Sequence, residues 1–128
     1  MVSFSQWKQA EKMYEGLPMD IPSDRDTLFY HGIQPDVAFR CKGNSMNPTF
    51  YNGELVFIHK QDDFIDGQIV AVCIGDGMTL KRLYRLSDGF LLVPDNKRFE
   101  PLKITENDAD DVKVYGIAVA RRGKQLRG

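Results

Sequence analysis

The chain has 128 residues, which is enough for one hydrophobic core but not for two. Its formal net charge of −1 at pH 7 argues against a protein that binds nucleic acid through a basic surface. No apolar run is long enough to cross a membrane as a helix, and the start of the chain lacks the apolar core of a signal peptide. We therefore expect a cytoplasmic protein without a membrane partner.

The first 35 residues predict a short helix followed by a linker arm. Apolar residues recur at helical spacing within residues 3–15, and Gly16 and Pro18 end that pattern. Residues 17–25 contain two prolines and several charges, which is typical of a linker on the surface. One helix of this length is too short for a helix-turn-helix domain, so we do not expect this chain alone to bind DNA.

From residue 36 onward the sequence predicts a β-rich domain. Short apolar segments alternate with glycine-containing turns, a pattern that favours a mainly β fold with a curved, partly closed antiparallel sheet. Residues 75–77 read Gly-Asp-Gly and predict a tight hairpin. We divide the chain into a helix and arm at 1–35, a β domain at 36–123 and a basic tail at 124–128. The predicted strands cover residues 37–42, 54–59, 68–74, 78–86, 89–93 and 112–121.

A serine lies in an irregular turn between the first two of these strands. Residues 43–50 read Gly-Asn-Ser-Met-Asn-Pro-Thr-Phe, in which Gly43 allows unusual backbone angles and Pro48 has a fixed φ angle and no amide donor. Such a turn brings the hydroxyl of Ser45 close to several backbone N–H groups, as acyl transfer requires. For this segment alone, an ordinary polar turn is the alternative interpretation.

Several segments together resemble the LexA-like repressors, phage repressors and UmuD-like proteins, a family of Ser-Lys self-cleaving proteins. The serine turn and the following Gly-Glu-Leu-Val at 53–56 resemble the family's nucleophile segment, and Thr-Leu-Lys-Arg-Leu at 79–83 resembles its lysine segment. Leu-Leu-Val-Pro-Asp-Asn at 91–96 resembles a Leu-x-Pro-x-Asn strand end, and residues 114–119 resemble the final strand. The resemblance implies the sheet of the LexA C-terminal type, and its segments occur in the family's order.

The resemblance implies a catalytic pair of Ser45 as nucleophile and Lys81 as general base. A lysine accepts the serine's proton only where apolar burial lowers its pKa. Arg82 cannot lose its proton, so we expect it to form a salt bridge or hydrogen bond near the site. The implied oxyanion donors are the backbone N–H groups of Asn44 and Ser45, with that of Met46 as an alternative. The residues expected to support the site are Gly43, Met46 (packed beneath the turn), Pro48 and Arg82.

The sequence gives less support to two other kinds of site. A Ser-His-Asp arrangement would use His59 with Asp62 or Asp63, but nothing in their spacing determines the geometry, and a histidine at a strand end is more simply a surface residue. A metal site made from both histidines and both cysteines lacks a ligand pair at metal-binding spacing, so we expect no metal and no cofactor. Neither cysteine belongs to a Cys-x-x-Cys motif, and we expect buried free thiols. The two histidines and two cysteines considered for the metal site are His31, His59, Cys41 and Cys73.

The sequence departs from the family at the bond that is cut. The family cuts itself at a small-residue–Gly bond, usually Ala-Gly, well before the serine, whereas this chain contains no Ala-Gly and no Cys-Gly. By position the nearest substitute is the bond between Glu15 and Gly16, whose charged side chain would have to enter a pocket suited to a methyl group. Three explanations stay open: the bond and a DNA-binding domain have been removed, the protein is a repressor that retains the catalytic pair but whose self-cleavage is weak or absent, or it cuts an atypical bond.

The expected function is that of the regulatory and dimerisation domain of a LexA-like or phage-type transcriptional repressor. If its catalytic pair is active, the domain is a self-cleaving serine endopeptidase. Alternatives are a UmuD-like stand-alone SOS mutagenesis protein, a non-cleaving repressor domain, or a soluble hydrolase resembling signal peptidases. The implied partners are a second copy of the chain, operator DNA through an absent N-terminal domain, and a RecA filament or an antirepressor. Strand 112–121 is the candidate dimer interface because Val114, Ile117 and Val119 are more apolar than a free sheet edge tolerates.

Overall fold

The computed structural model describes residues 33, 35–75, 77–121 and 124–125, so the predicted helix at 3–15 and its arm lie outside the described residues. Within these ranges no helix has the length and apolar character needed to cross a bilayer. One short 3₁₀ helix spans Glu106–Asp111. The strands are β1 (Val37–Arg40), β2 (Leu55–Lys60), β3 (Ile69–Ile74), β4 (Gly77–Leu86), β5 (Gly89–Val93), β6 (Leu102–Thr105), β7 (Val112–Arg121) and β8 (Lys124–Gln125).

The strands form a single antiparallel sheet. Its order is β1-β2-β7-β3-β4-β5-β6, and β8 pairs with β7. The sheet is open, because β1 and β6 lie at the two ends of this path. The mainly β, antiparallel fold predicted from the sequence is confirmed, as is the hairpin that joins β3 to β4.

Strand β3 shows why a continuous apolar segment forms the centre of this sheet. Successive side chains of a strand point to opposite faces, so an interior strand needs apolar residues on both. Val70, Val72 and Ile74 pack into the larger of two core clusters, whereas Ile69 and Ala71 pack into the smaller one. Full burial of each large aliphatic side chain contributes about 1.5–3 kcal/mol. The smaller cluster lies beneath the serine turn, because Met46 and Phe50 belong to it.

Strand β7 lies inside the sheet, between β2 and β3, and is not a free edge. Ile117 and Val119 are buried in the larger cluster, and Val114 packs against it. The apolar character of this strand is therefore explained by the core. The premise that these three residues lie on a free edge is wrong, while a dimer interface on this strand stays an untested prediction.

Strand β6 is missing from the strands predicted from the sequence. Its residues read Leu-Lys-Ile-Thr, and Leu102 and Ile104 are buried while Lys103 and Thr105 are partly exposed. This alternation is the signal of a half-buried strand, but it covers only four residues and directly follows Pro101. Pairing with β5 stabilises it, and that contact is not visible in the local sequence.

Candidate active site

The serine turn connects β1 to β2, and backbone hydrogen bonds close its base. The N–H of Cys41 donates to the carbonyl of Glu54 over 2.7 Å, and the N–H of Gly53 donates to the carbonyl of Cys41 over 2.8 Å. Gly43 has a φ angle of +83°, in the left-handed region that glycine adopts without a Cβ clash. Its N–H donates to Oδ1 of Asn52 over 2.9 Å, which holds the two ends of the turn together.

Two apolar side chains anchor the turn to the core. Met46 and Phe50 are both buried, and the N–H of Phe50 donates to the carbonyl of Met46 over 2.9 Å. Met46 therefore packs in the smaller core cluster beneath the turn. Pro48 is exposed at the surface of the turn, and its bond to Asn47 is cis. The turn is thus supported from below by side-chain packing and at its base by hydrogen bonds.

Ser45 and Lys81 are in contact. Nζ of Lys81 lies 3.0 Å from Oγ of Ser45 in hydrogen-bonding geometry. Ser45 is 8% exposed and Lys81 is 2% exposed, and Lys81 is paired directly with Val70 across the β3–β4 ladder. The two residues predicted as nucleophile and base therefore meet in a buried position with an apolar neighbour.

Thr79 also binds the lysine amine. Its Oγ1 accepts a second hydrogen bond from Nζ of Lys81, over 2.6 Å. Thr79 is buried and lies two residues before Lys81, so both side chains point to the same face of β4. The sequence interpretation does not assign Thr79 to the site, although its spacing from Lys81 in a strand is the signal that could have found it.

The segment after β5 contacts the serine turn through Asn96. The backbone N–H of Asn96 donates to the carbonyl of Ser45 over 2.9 Å, and its side-chain Nδ2 donates to the carbonyl of Asn44 over 2.9 Å. At this turn, the hydrogen bonds of the described residues include none with the N–H of Asn44, Ser45 or Met46 as donor. These N–H groups are the predicted oxyanion donors, and that role stays a prediction.

Arg82 forms the salt bridge predicted from the sequence. Its Nε lies 2.7 Å from Oδ1 of Asp95 and its Nη2 lies 3.3 Å from Oδ2, while Nη1 donates to the carbonyl of Gly67 over 2.7 Å. Asp95 also accepts a hydrogen bond from the hydroxyl of Thr49, in the serine turn. The sequence matched residues 91–96 to the family but assigned Asp95 and Asn96 no role.

Comparison with known proteins agrees with this geometry. The pattern that defines the Peptidase S24-like family matches residues 1–119 of the chain. The chain belongs to this family. The resemblance to LexA-like proteins inferred from the sequence is thereby confirmed.

LexA repressors are among the relatives of this S24-like chain. That of Hahella chejuensis is 37% identical over 89 residues, which is 68% of the chain and 44% of the repressor. Those of Thermosipho melanesiensis and Petrotoga mobilis are 41% identical over 83 residues and 42% identical over 85 residues, each match covering 64% of the chain and 40% of the repressor. The S24-like chain therefore spans less than half the length of these relatives.

Cys41 lies near the Ser45–Lys81 contact in this S24-like fold. Burial raises the pKa of the Cys41 thiol to about 11, with a further contribution from Glu54, and the charge of Lys81 acts in the opposite direction. Cys41 therefore stays neutral at physiological pH and packs in the smaller core cluster. Burial also raises the pKa of Cys73, which is only half-buried. Both thiols are free, but the expected burial is found for Cys41 only.

Among the described residues, His59 and Asp63 of the alternative Ser-His-Asp arrangement each contact a different partner. Nδ1 of His59 lies 3.2 Å from Asp36, before β1, whereas Asp63 lies 3.3 Å from Arg85. The Ser45 hydroxyl contacts Lys81 instead. Within the described ranges, no group of three or more His, Cys, Asp or Glu side chains is arranged to hold a metal ion, and His31 lies outside those ranges.

Proposed function

We propose that this chain is the regulatory, self-cleaving part of a LexA-like transcriptional repressor, with Ser45 as the nucleophile and Lys81 as the general base. The observation that carries the proposal is the 3.0 Å contact between Nζ of Lys81 and Oγ of Ser45, with a lysine that is 2% exposed. A lysine general base must lose its proton near neutral pH, and burial favours the neutral amine. An exposed lysine would stay charged and could not act as a base.

The reaction that fits this contact begins with a neutral Lys81. Oγ of Ser45 donates its proton to the Nζ lone pair while it attacks the carbonyl carbon of the scissile peptide bond. Thr79 accepts one N–H of the amine, which turns the lone pair toward Ser45. The N–H groups of Asn44 and Ser45 donate to the oxyanion, with that of Met46 as the alternative. The Lys81 ammonium then protonates the leaving amine of the peptide. The neutral Nζ of Lys81 next accepts a proton from the water that hydrolyses the Ser45 ester.

The role of the whole protein extends this proposal. We infer that it works as a homodimer in the cytoplasm, that a separate N-terminal domain binds operator DNA, and that a RecA filament or an antirepressor triggers cleavage. The support is that the similar proteins are named LexA repressors and that the chain spans 44% or less of the three described above. The division into an arm at 1–35, a domain at 36–123 and a tail at 124–128 belongs to the same proposal.

The test is self-cleavage in a longer chain that carries an Ala-Gly bond upstream of residue 1. We expect mass spectrometry after incubation at mildly alkaline pH to find a cut at that bond. Ser45→Ala and Lys81→Ala should each abolish it, with losses of roughly a thousandfold or more. Ser87→Ala and Lys113→Ala change exposed residues of the same types and should be cut like the parent. Cleavage that survives in both Ser45→Ala and Lys81→Ala would refute the assignment.

A second candidate function is a non-cleaving domain for dimerisation and partner binding, favoured by the absence of Ala-Gly and Cys-Gly from this chain. The two candidates differ in one result. A dimer in sedimentation at roughly ten micromolar, together with no Ser45-dependent cut in the longer chain, supports the non-cleaving domain. A Ser45-dependent cut supports the peptidase whatever the oligomeric state.

A further inference from the structure

We propose that Asp95 and Asn96, here called the clasp, are positioning residues that hold the serine turn against β4 and set the direction of the Ser45 N–H. The proposal rests on the proposed function, because it assigns the clasp a part in the same reaction. The clasp directly follows β5 and Pro94, and its hydrogen-bond partners include the backbone of the serine turn and the side chain of Arg82.

The first contact is between Asn96 and the backbone of the turn. In a trans peptide the carbonyl and the following N–H point in opposite directions. Nδ2 of Asn96 binds the carbonyl of Asn44, so the N–H of Ser45 points away from Asn96. The backbone N–H of Asn96 binds the carbonyl of Ser45 and orients the N–H of Met46 in the same manner. One residue therefore fixes two successive peptide planes at the nucleophile.

The second contact is between Asp95 and the two elements that carry the pair. Its carboxylate binds Arg82, the residue after Lys81, through both Nε and Nη2. The other partner is the hydroxyl of Thr49, four residues after Ser45. The Asp95 side chain is 13% exposed, so these charge-assisted hydrogen bonds are partly shielded from water.

The two contacts together fix the position of the serine turn relative to β4, the strand that carries Lys81. Asn96 holds the turn at Ser45, and Asp95 joins the turn at Thr49 to β4 at Arg82. A hydroxyl and an amine that must exchange a proton tolerate little displacement, since a misplacement of about 1 Å lowers a rate by roughly a hundredfold. The clasp therefore contributes by geometry.

The test uses two near-isosteric substitutions. Asn96→Asp keeps the backbone N–H and the Oδ1 that accepts from the N–H of Arg98, but replaces the Nδ2 donor with an oxygen facing the carbonyl of Asn44. Asp95→Asn keeps the size of the side chain and removes the charge that pairs with Arg82. The matched controls are Asn107→Asp, at the opposite end of the β5–β6 pair, and Asp62→Asn, both at exposed positions.

The first readout does not depend on cleavage. Backbone amide NMR of this chain should show that Asn96→Asp shifts the resonances of Ser45 and Met46, while the controls leave them in place. Asp95→Asn should shift those of Thr49 and Arg82. The amides of β7 should be unchanged in all four variants, which separates a local displacement from unfolding. Unmoved Ser45 and Met46 resonances in Asn96→Asp would overturn the proposal.

The second readout is the rate of self-cleavage in the longer chain with its Ala-Gly bond. We expect each clasp variant to be cut about 10- to 100-fold more slowly than the parent when the rates are compared on the high-pH plateau, where Lys81 is neutral in every variant. Equal plateau rates in the parent and in both clasp variants would contradict a positioning role. If the parent is cut and Asn96→Asp is cut equally fast, the clasp proposal fails and the proposed function stands. If the parent shows no Ser45-dependent cut, the proposed function fails and the NMR readout alone decides whether the clasp positions the turn.

Discussion

Oγ1 of Thr79 accepts a hydrogen bond of 2.6 Å from Nζ of Lys81, two residues further along the same strand. The amine is therefore held between two hydroxyl groups, because Oγ of Ser45 lies 3.0 Å from the same nitrogen. A lysine side chain has several rotatable bonds and loses conformational entropy when its amine is fixed. Thr79 thus restricts the amine to the position from which it reaches Ser45.

Removal of the Thr79 hydroxyl should slow self-cleavage. Thr79→Val keeps the shape of the buried side chain but deletes the acceptor. We expect a loss of about tenfold in rate, because the corresponding rise in activation free energy is close to the free energy of one hydrogen bond. Thr79→Ser keeps the hydroxyl and should retain most of the rate. The measurement is the first-order rate of cleavage in the longer chain. Equal rates for the Val and Ser variants would contradict this role.

The chain with its own sequence should stay intact at mildly alkaline pH, because the bond between Glu15 and Gly16 presents a charged side chain where the family has a small one. Glu15→Ala creates an Ala-Gly bond at that position and should allow cutting. Mass spectrometry of both chains after the same incubation checks this. Ser45→Ala added to Glu15→Ala should abolish the cut. A Ser45-dependent cut in the unchanged chain would refute the prediction while supporting the catalytic pair.

Cys41 should make folding less stable at high pH. Its pKa is raised from 9.0 to about 11, so above pH 9 the unfolded chain loses the thiol proton while the folded chain keeps it. The contribution of the neutral Cys41 thiol to the free energy of unfolding is fully present below pH 9 and is lost as the pH rises toward 11. The total loss is at most about 2–3 kcal/mol. Urea unfolding at pH 8 and pH 10.5 should show a smaller pH effect in Cys41→Ala than in the parent.

The two cysteines also allow a test of burial. Iodoacetamide at pH 8 should modify Cys73 before Cys41, because Cys41 is 4% exposed and its neutral thiol is a poor nucleophile. Peptide mapping over time gives the order. Equal rates of modification at the two residues would show that Cys41 is more accessible than its packing indicates.

Gly116 should tolerate no side chain. A Cβ at this position of β7 would collide with the carbonyl oxygen of His59 and crowd Cγ2 of Ile58. Gly116→Ala should therefore destabilise the fold by about 3 kcal/mol, measured by urea unfolding. Gly75→Ala is the control, since a Cβ added at this position has nothing within 4 Å of it. Only the φ angle of +58° opposes this substitution, by about 1 kcal/mol. Equal losses in the two variants would refute the steric explanation.

The strands that the sequence predicted are those in which apolar patterning is strong and local. Strand β3 is apolar throughout, and the Gly-Asp-Gly at 75–77 marks the hairpin that follows it. Strand β6 was not predicted, because a short alternation after a proline becomes a strand only through its pairing with β5. The free-edge argument for strand 112–121 was wrong for a related reason, since the apolar residues of a strand do not reveal whether it lies at an edge or between two neighbours.

The sequence by itself determined the antiparallel β fold, because turn residues and strand periodicity are properties of the chain read locally. Its matched segments, in the family's order, identified the family, and that resemblance implied the two candidate residues, Ser45 and Lys81. The 36 positions that separate these residues carry no local signal of contact, and only the tertiary structure brings the hydroxyl and the amine to 3.0 Å. The same is true of Asn96, which is 52 positions from Asn44. Its hydrogen bonds form because the packed sheet places the end of β5 beside the serine turn. The distances from Asn96 to the carbonyls of Asn44 and Ser45 therefore depend on the whole fold.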